Sequence, residues 1–151
     1  MKTIYEMPGH LIRRAHQIST AIFAEECMAF DVTAIQYSAL CAIGMHESLD
    51  ATRLSRLIAF DRATIGGVLE RMEAKGWIER VSSPKDRRVK LLRLTPEGEN
   101  LVERVESAVQ RAQKRLLEPL AAEDRKEFLR LLSQLAQVHN DITSAPIQPI
   151  D

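Results

Sequence analysis

The chain has 151 residues, 45% of them apolar and only 5% aromatic, and its 21 Lys/Arg are balanced by 21 Asp/Glu. That is one domain's worth of chain with enough apolar content for a core. No apolar run approaches a membrane span and no signal-peptide core opens the chain, so a cytoplasmic protein without membrane contact is expected. Two cysteines, Cys27 and Cys41, are too few and too separated for a disulfide scaffold or a zinc site. No nucleotide loop, metal-ligand cluster or Ser/His/Asp spacing points to an enzyme or to a cofactor.

The neutral total conceals an asymmetry. From Arg53 to Arg93 there are 11 Lys/Arg against 5 Asp/Glu, so this segment carries +6 and the remainder −6. A basic segment of this kind is either a solvated face or the footprint of a polyanion.

In chain order, the spacing predicts a first helix over about Pro8–Met28. Its apolar stripe is Leu11, Ala15, Ile18 and Ile22, and Ile12, His16 and Phe23 form a second. A helix with two apolar faces touches two things, its own domain and a partner subunit. Arg14 and Ser19 flank the first stripe. A second helix is expected over Thr33–His46, with Ile35, Tyr37, Leu40, Cys41 and Met45 apolar. Asp50 can cap a short third helix carrying Leu54, Leu57 and Ile58, with Arg53 and Arg56 off its apolar side. Phe60-Asp61 then reads as the turn of a helix-turn-helix.

Asp61 is an N-cap candidate for a fourth helix, in which Ile65, Leu69 and Met72 recur at helical spacing before Gly76 supplies a left-handed stop. Its other side carries Ala63, Gly67, Glu70 and Ala74, with Arg62 at its start and Thr64 and Arg71 on its shoulder. Two strand-like runs follow, Trp77–Ser82 and Val89–Leu94, joined by the polar loop Ser83-Pro84-Lys85-Asp86-Arg87-Arg88. Thr95-Pro96 restarts a helix with Thr as cap and Pro in the first turn. Leu101, Val105, Val109, Ala112, Leu116 and Leu120 give it one long stripe up to the Pro119 interruption. A final helix, about Ala122–Thr143, is expected to bury Phe128, Leu131, Leu132, Leu135, Val138 and Ile142, and Ser144–Asp151 to fray. Helices so apolar at both ends argue for a homodimer. The fold class is mostly α with a small β-hairpin wing, a winged helix-turn-helix in one domain. A helix followed at once by a basic hairpin is the outline of a DNA reader.

The run Asp86-Arg87-Arg88-Val89-Lys90-Leu91-Leu92-Arg93-Leu94-Thr95-Pro96-Glu97-Gly98 resembles the D-x-R-x-x-x-L-x-L-T-x-x-G signature of MarR-type transcriptional regulators. Leu69–Ile78 resembles the exit of their recognition helix, and Gly9–Ala15 the entry of members that respond to aromatic acids. Gly66-Gly67 departs from the family, where polar side chains are commoner. The resemblance implies a winged helix-turn-helix over 33–94 and dimerisation helices over 1–32 and 95–143, with 144–151 a tail. It implies a regulator, in most members a repressor, on an inverted-repeat operator in double-stranded DNA. Release follows binding of a small aromatic carboxylate or phenol.

The expected DNA contacts are Arg53, Arg56, Arg62, Thr64, Gly67, Arg71, Lys85, Asp86, Arg87 and Arg88. By resemblance, Arg88 enters the minor groove while Asp86 steadies its guanidinium; alternatively the two form a local pair that braces the hairpin. The expected effector contacts are Arg14, His10, Ser19 and Ile18. Arg14 is read as the partner of a carboxylate, or else as a salt bridge to the fifth helix or to the partner chain. A thiol-based redox switch and a winged-helix protein-interaction module are the alternative functions. Against the first, Glu25 and Glu26 beside Cys27 raise its thiol pKa. Against the second, a protein partner leaves the basic wing unexplained.

Overall fold

The computed structural model describes residues 3–142. The chain's periodicity and caps account for most element boundaries. Helix α1 (Pro8–Glu26) stops two residues short of the expected Met28, because the backbone tightens into a 3-10 turn over Met28–Phe30 and then turns left-handed at Asp31, φ 50°. Thr33 and Gln36 form a reciprocal capping box that opens α2 (Ala34–Met45). Asp50 caps α3 (Ala51–Leu57) by accepting the Arg53 amide at 2.8 Å.

Asp61 occupies the cap position of α4 (Arg62–Ala74), but its side chain accepts no backbone amide. Its Oδ2 instead takes the Thr64 hydroxyl at 3.4 Å, while its carbonyl accepts the Thr64 and Ile65 amides. Gly76 ends α4 with φ 72°, as expected. Strands β1 (Ile78–Ser82) and β2 (Lys90–Leu94) pair antiparallel from Ile78↔Leu94 to Ser82↔Lys90. Thr95 then caps α5 (Pro96–Leu117), and α6 (Ala122–Val138) follows.

The core lies where α2, α4, β2 and α5 converge. Leu40, Leu49, Leu54, Ile65, Leu69, Met72, Ile78, Leu92 and Val105 are its largest fully buried apolar side chains, apart from Cys27. Leu101, Ala108, Val109 and Ala112 extend it along the expected stripe of α5. Leu116 is only half-buried, and Leu120 lies beyond the helix. Met45, expected among the apolar positions of α2, points to solvent.

The terminal helices differ most from expectation. Nothing in α6 is buried: Phe128, Leu131, Leu132 and Leu135 are 40–50% exposed, and Val138 and Ile142 more so. On α1 only Phe23 is buried, whereas Leu11, Ile12 and Ile18 are exposed. The apolar spacing expected to bury these side chains instead marks faces that one chain does not cover. The expected end of α6 at Thr143 and the tail Ser144–Asp151 lie outside the described residues.

Candidate nucleic-acid interface

The basic segment runs over α3, α4 and the hairpin, with α4 tied to α3 through Arg62 and Arg53 sharing a groove with Lys85 of the wing. Arg53 and Arg56 stand exposed on α3, and Arg62, Thr64 and Arg71 on α4. Arg62 reaches back to α3, its Nε donating to the Thr52 hydroxyl at 2.9 Å, which fixes the start of α4 against its neighbour. Arg53 donates to the Ser48 carbonyl at 3.1 Å. Buried Ile65, Val68, Leu69 and Met72 hold the opposite side of α4 in the core, so the Thr64 and Arg71 side must face outward.

Gly66 and Gly67 sit in that helix without an internal reason. A Cβ at Gly66 would meet nothing within 4 Å, and one at Gly67 only the Arg71 guanidinium at 3.7 Å. Each glycine nevertheless costs about 1 kcal/mol in a helix interior.

The wing is ordered by its own backbone. The Ser83 hydroxyl accepts the Lys85 amide at 3.3 Å, and the Asp86 carbonyl accepts the Val89 amide at 3.0 Å. Asp86 Oδ1 accepts the backbone amide of Arg88 at 3.0 Å. This corrects its expected role, because the carboxylate clasps the Arg88 backbone and not its guanidinium. The pair therefore does not brace the hairpin through an ion pair. Side chains of Lys85, Arg87 and Arg88 make no hydrogen bond or ion pair among the described residues, which leaves three cations facing solvent.

His10, Arg14 and Ile18 follow one another along one side of α1, whereas Ser19 lies half a turn around the helix from His10. His10 is half-buried, with the Tyr5 ring edge-on at 5.5 Å, and Ser19 is half-buried; Ile18 and Arg14 are exposed. Arg14 makes no ion pair among the described residues. The α5 cations pair elsewhere on α1, Arg111 with Glu26 at 3.2 Å and Arg115 with Glu25 at 2.8 Å. The intrachain salt-bridge alternative for Arg14 is thus removed. None of the four residues lines the open groove of about 730 Å³ at the wing root, which Ile43, His46, Arg53, Lys85, Leu92 and Arg93 help to form.

The cysteines carry little redox signal. Cys27 is buried, and that burial pushes its thiol up, with the Glu26 charge adding to it against Arg111. Burial and a hydrogen bond with Cys41 likewise push Tyr37 up to about 12. Among the described residues no group of His, Cys, Asp or Glu gathers as metal ligands, and no helix is long and apolar enough to cross a membrane.

A family model described as "MarR family" matches residues 30–89. Over 87% of this chain and 84% of the relative, the sequence is 32% identical to the HTH-type transcriptional repressor NicR of Pseudomonas putida. The chain belongs to the MarR family.

Solved structures of MarR-family regulators share the fold. BpsR of Bordetella bronchiseptica is 31% identical with a TM-score of 0.84, over 90% of this chain and 97% of that one; its structure concerns regulation of DNA binding by 6-hydroxynicotinic acid. A mutant MarR from E. coli complexed with operator DNA is 27% identical with a TM-score of 0.81, over 89% of this chain and 99% of that one. The winged helix-turn-helix expectation holds, and this MarR-family protein is a DNA-binding transcriptional regulator, not an enzyme.

One contact had no signal in the sequence. Lys75, at the end of α4, donates to Asp31 Oδ2 at 2.7 Å and to the Asp31 carbonyl at 2.6 Å. These residues are 44 positions apart.

Proposed function

We propose that this regulator is a homodimeric repressor of an inverted-repeat operator, released by a small aromatic carboxylate or phenol. Residues 33–94 form the DNA-reading unit, and 1–32 with 95–143 the dimerisation helices. Such a protein works in the cytoplasm, where bacterial operators lie. The observation that carries the DNA assignment is the wing, a loop held by its own hydrogen bonds that presents Lys85, Arg87 and Arg88 to solvent without partners among the described residues.

With Asp86 holding its backbone, Arg88 is aimed into the minor groove, where narrow A·T-rich segments have enhanced negative potential. Arg53, Arg56, Arg62, Lys85 and Arg87 meet phosphate, while Thr64, Gly67 and Arg71 approach the bases. Arg88→Ala is expected to weaken operator binding by about tenfold to a hundredfold and to relax the preference for flanking A·T pairs. Lys85→Ala should weaken all sequences alike and reduce the salt slope by about one unit. Anisotropy titrations across a salt series separate the two. Unchanged affinity in Arg88→Ala excludes the minor-groove role.

The effector reading rests on Arg14, an unpaired guanidinium between Leu11 and Ile18 on an α1 face that one chain leaves open. A second subunit can close that face into a pocket, with His10 one turn before Arg14 offering a polar contact and Ser19 standing at the other edge of the stripe. The relative BpsR, whose DNA binding is linked to an aromatic acid, supports the ligand class. A charge-assisted bidentate pair is worth roughly 1.5–3 kcal/mol, so Arg14→Ala should weaken binding of 6-hydroxynicotinic acid or a similar acid about ten- to hundredfold. Arg14→Lys should rescue little, because an ammonium lacks the planar fork. Calorimetry with the acid and its carboxamide checks this. Equal binding of the two by the native protein denies Arg14 a carboxylate.

A further inference from the structure

We infer that Lys75 is a positioning residue for DNA recognition, a latch through which the dimerisation helices set the direction of α4. The inference rests on the dimeric reading above.

The turn that receives Lys75 is fixed to the dimerisation helices from several sides. Glu25 and Glu26 at the end of α1 are clamped by Arg115 and Arg111 of α5. Cys27 and Val32 are buried in the core, and Phe30 lies under the Arg104 guanidinium of α5, 5.8 Å from the ring centroid. Asp31 stands at the apex in a left-handed conformation, which turns its carbonyl and carboxylate toward the same ammonium.

On the other side, Lys75 is the last residue before Gly76 reverses the chain, and its ammonium also lies 4.4 Å from the Trp77 ring centroid. The start of α4 is held by Arg62 on Thr52. Its far end is held by the core, by the Glu73–Arg80 ion pair to β1 at 3.2 Å and by this contact.

The Asp31 side chain is 91% exposed, so the ion pair by itself adds little stability. Its geometry is nonetheless specific, because two oxygens and a ring meet one ammonium. A contact of this kind affects orientation more than folding. In a dimer, the direction of α4 determines which separation of two half-sites both recognition helices can occupy together. Adding one base pair moves a half-site by about 3.4 Å and turns it by about 35°.

The test uses the full-length protein and the inverted repeat that it selects from random duplex DNA, together with versions lengthened or shortened by one base pair between half-sites. Native protein is expected to lose about tenfold or more in affinity on either change. Lys75→Met keeps the stem on Trp77 but removes the donor, and Asp31→Gly removes the carboxylate while tolerating the left-handed backbone. Both variants should remain folded dimers by circular dichroism and sedimentation, and both should narrow the spacing penalty about three- to fivefold. Spacing penalties equal to the native value in both variants overturn the latch. So does a uniform loss with a flatter salt slope in Lys75→Met alone, which makes Lys75 a phosphate contact. A native protein indifferent to spacing overturns the dimeric reading, a distinct result.

Discussion

Gly98→Ala is expected to destabilise the protein by about 3 kcal/mol, a drop in Tm of roughly 10 °C. A Cβ at this position would overlap the Trp77 carbonyl oxygen and lie 3.0 Å from its carbon. The obstacle is backbone, which no rotamer change can clear. The position closes a corner in which the Thr95 hydroxyl accepts the Gly98 amide at 3.1 Å and donates to the Gly76 carbonyl at 2.5 Å. The Thr95 amide also donates to the Trp77 carbonyl at 3.1 Å. An added methyl must therefore pry the start of α5 from the exit of α4.

Gly66→Ala is the control with the opposite sign. It meets open space in a helix, so it should stabilise by up to about 1 kcal/mol. Thermal unfolding of both variants at one protein concentration is the measurement. A Gly98→Ala protein as stable as the native one removes the clash argument.

The second large effect concerns the apolar face of α6. Leu132 and Leu135 are 43% and 46% exposed in one chain, and Leu131 and Phe128 lie beside them. On α1, Leu11 and Ile12 are about half exposed. An apolar surface of this extent on helices at both ends of the chain calls for a cover, and in a two-fold dimer each subunit supplies it to the other. Leu132→Glu places a carboxylate in such an interface at a cost of about 3 kcal/mol per subunit. Symmetry doubles that cost, so the dimer dissociation constant should rise by about four orders of magnitude. Sedimentation at micromolar concentration should then show monomers, and binding to the inverted repeat should collapse to weak half-site binding. A variant that remains a tight dimer places the interface elsewhere.

Local chemistry was legible from the sequence because it acts within a few residues. Asp50 and Thr95 cap helices and Gly76 stops one, as their side chains or their lack of one dictate. The hairpin and the basic segment followed from alternation and charge. The structure placed the cations of the wing in solvent and ordered their loop.

What the sequence left open, or misassigned, depends on which groups meet across the fold. Apolar spacing in α6 predicts an apolar face but not what covers it, and the single chain leaves it bare. Asp61 is placed to cap α4 and Asp86 to pair with the Arg88 guanidinium, yet each carboxylate finds another donor within three residues. An acceptor that short serves whichever donor the backbone brings nearest. Gly98 is required by a carbonyl 21 positions earlier, and Lys75 finds Asp31 across 44. No periodicity carries such distances. They are decided only when α5 docks on α1 and α2, because that docking sets where the end of α4 and its neighbouring turn must meet.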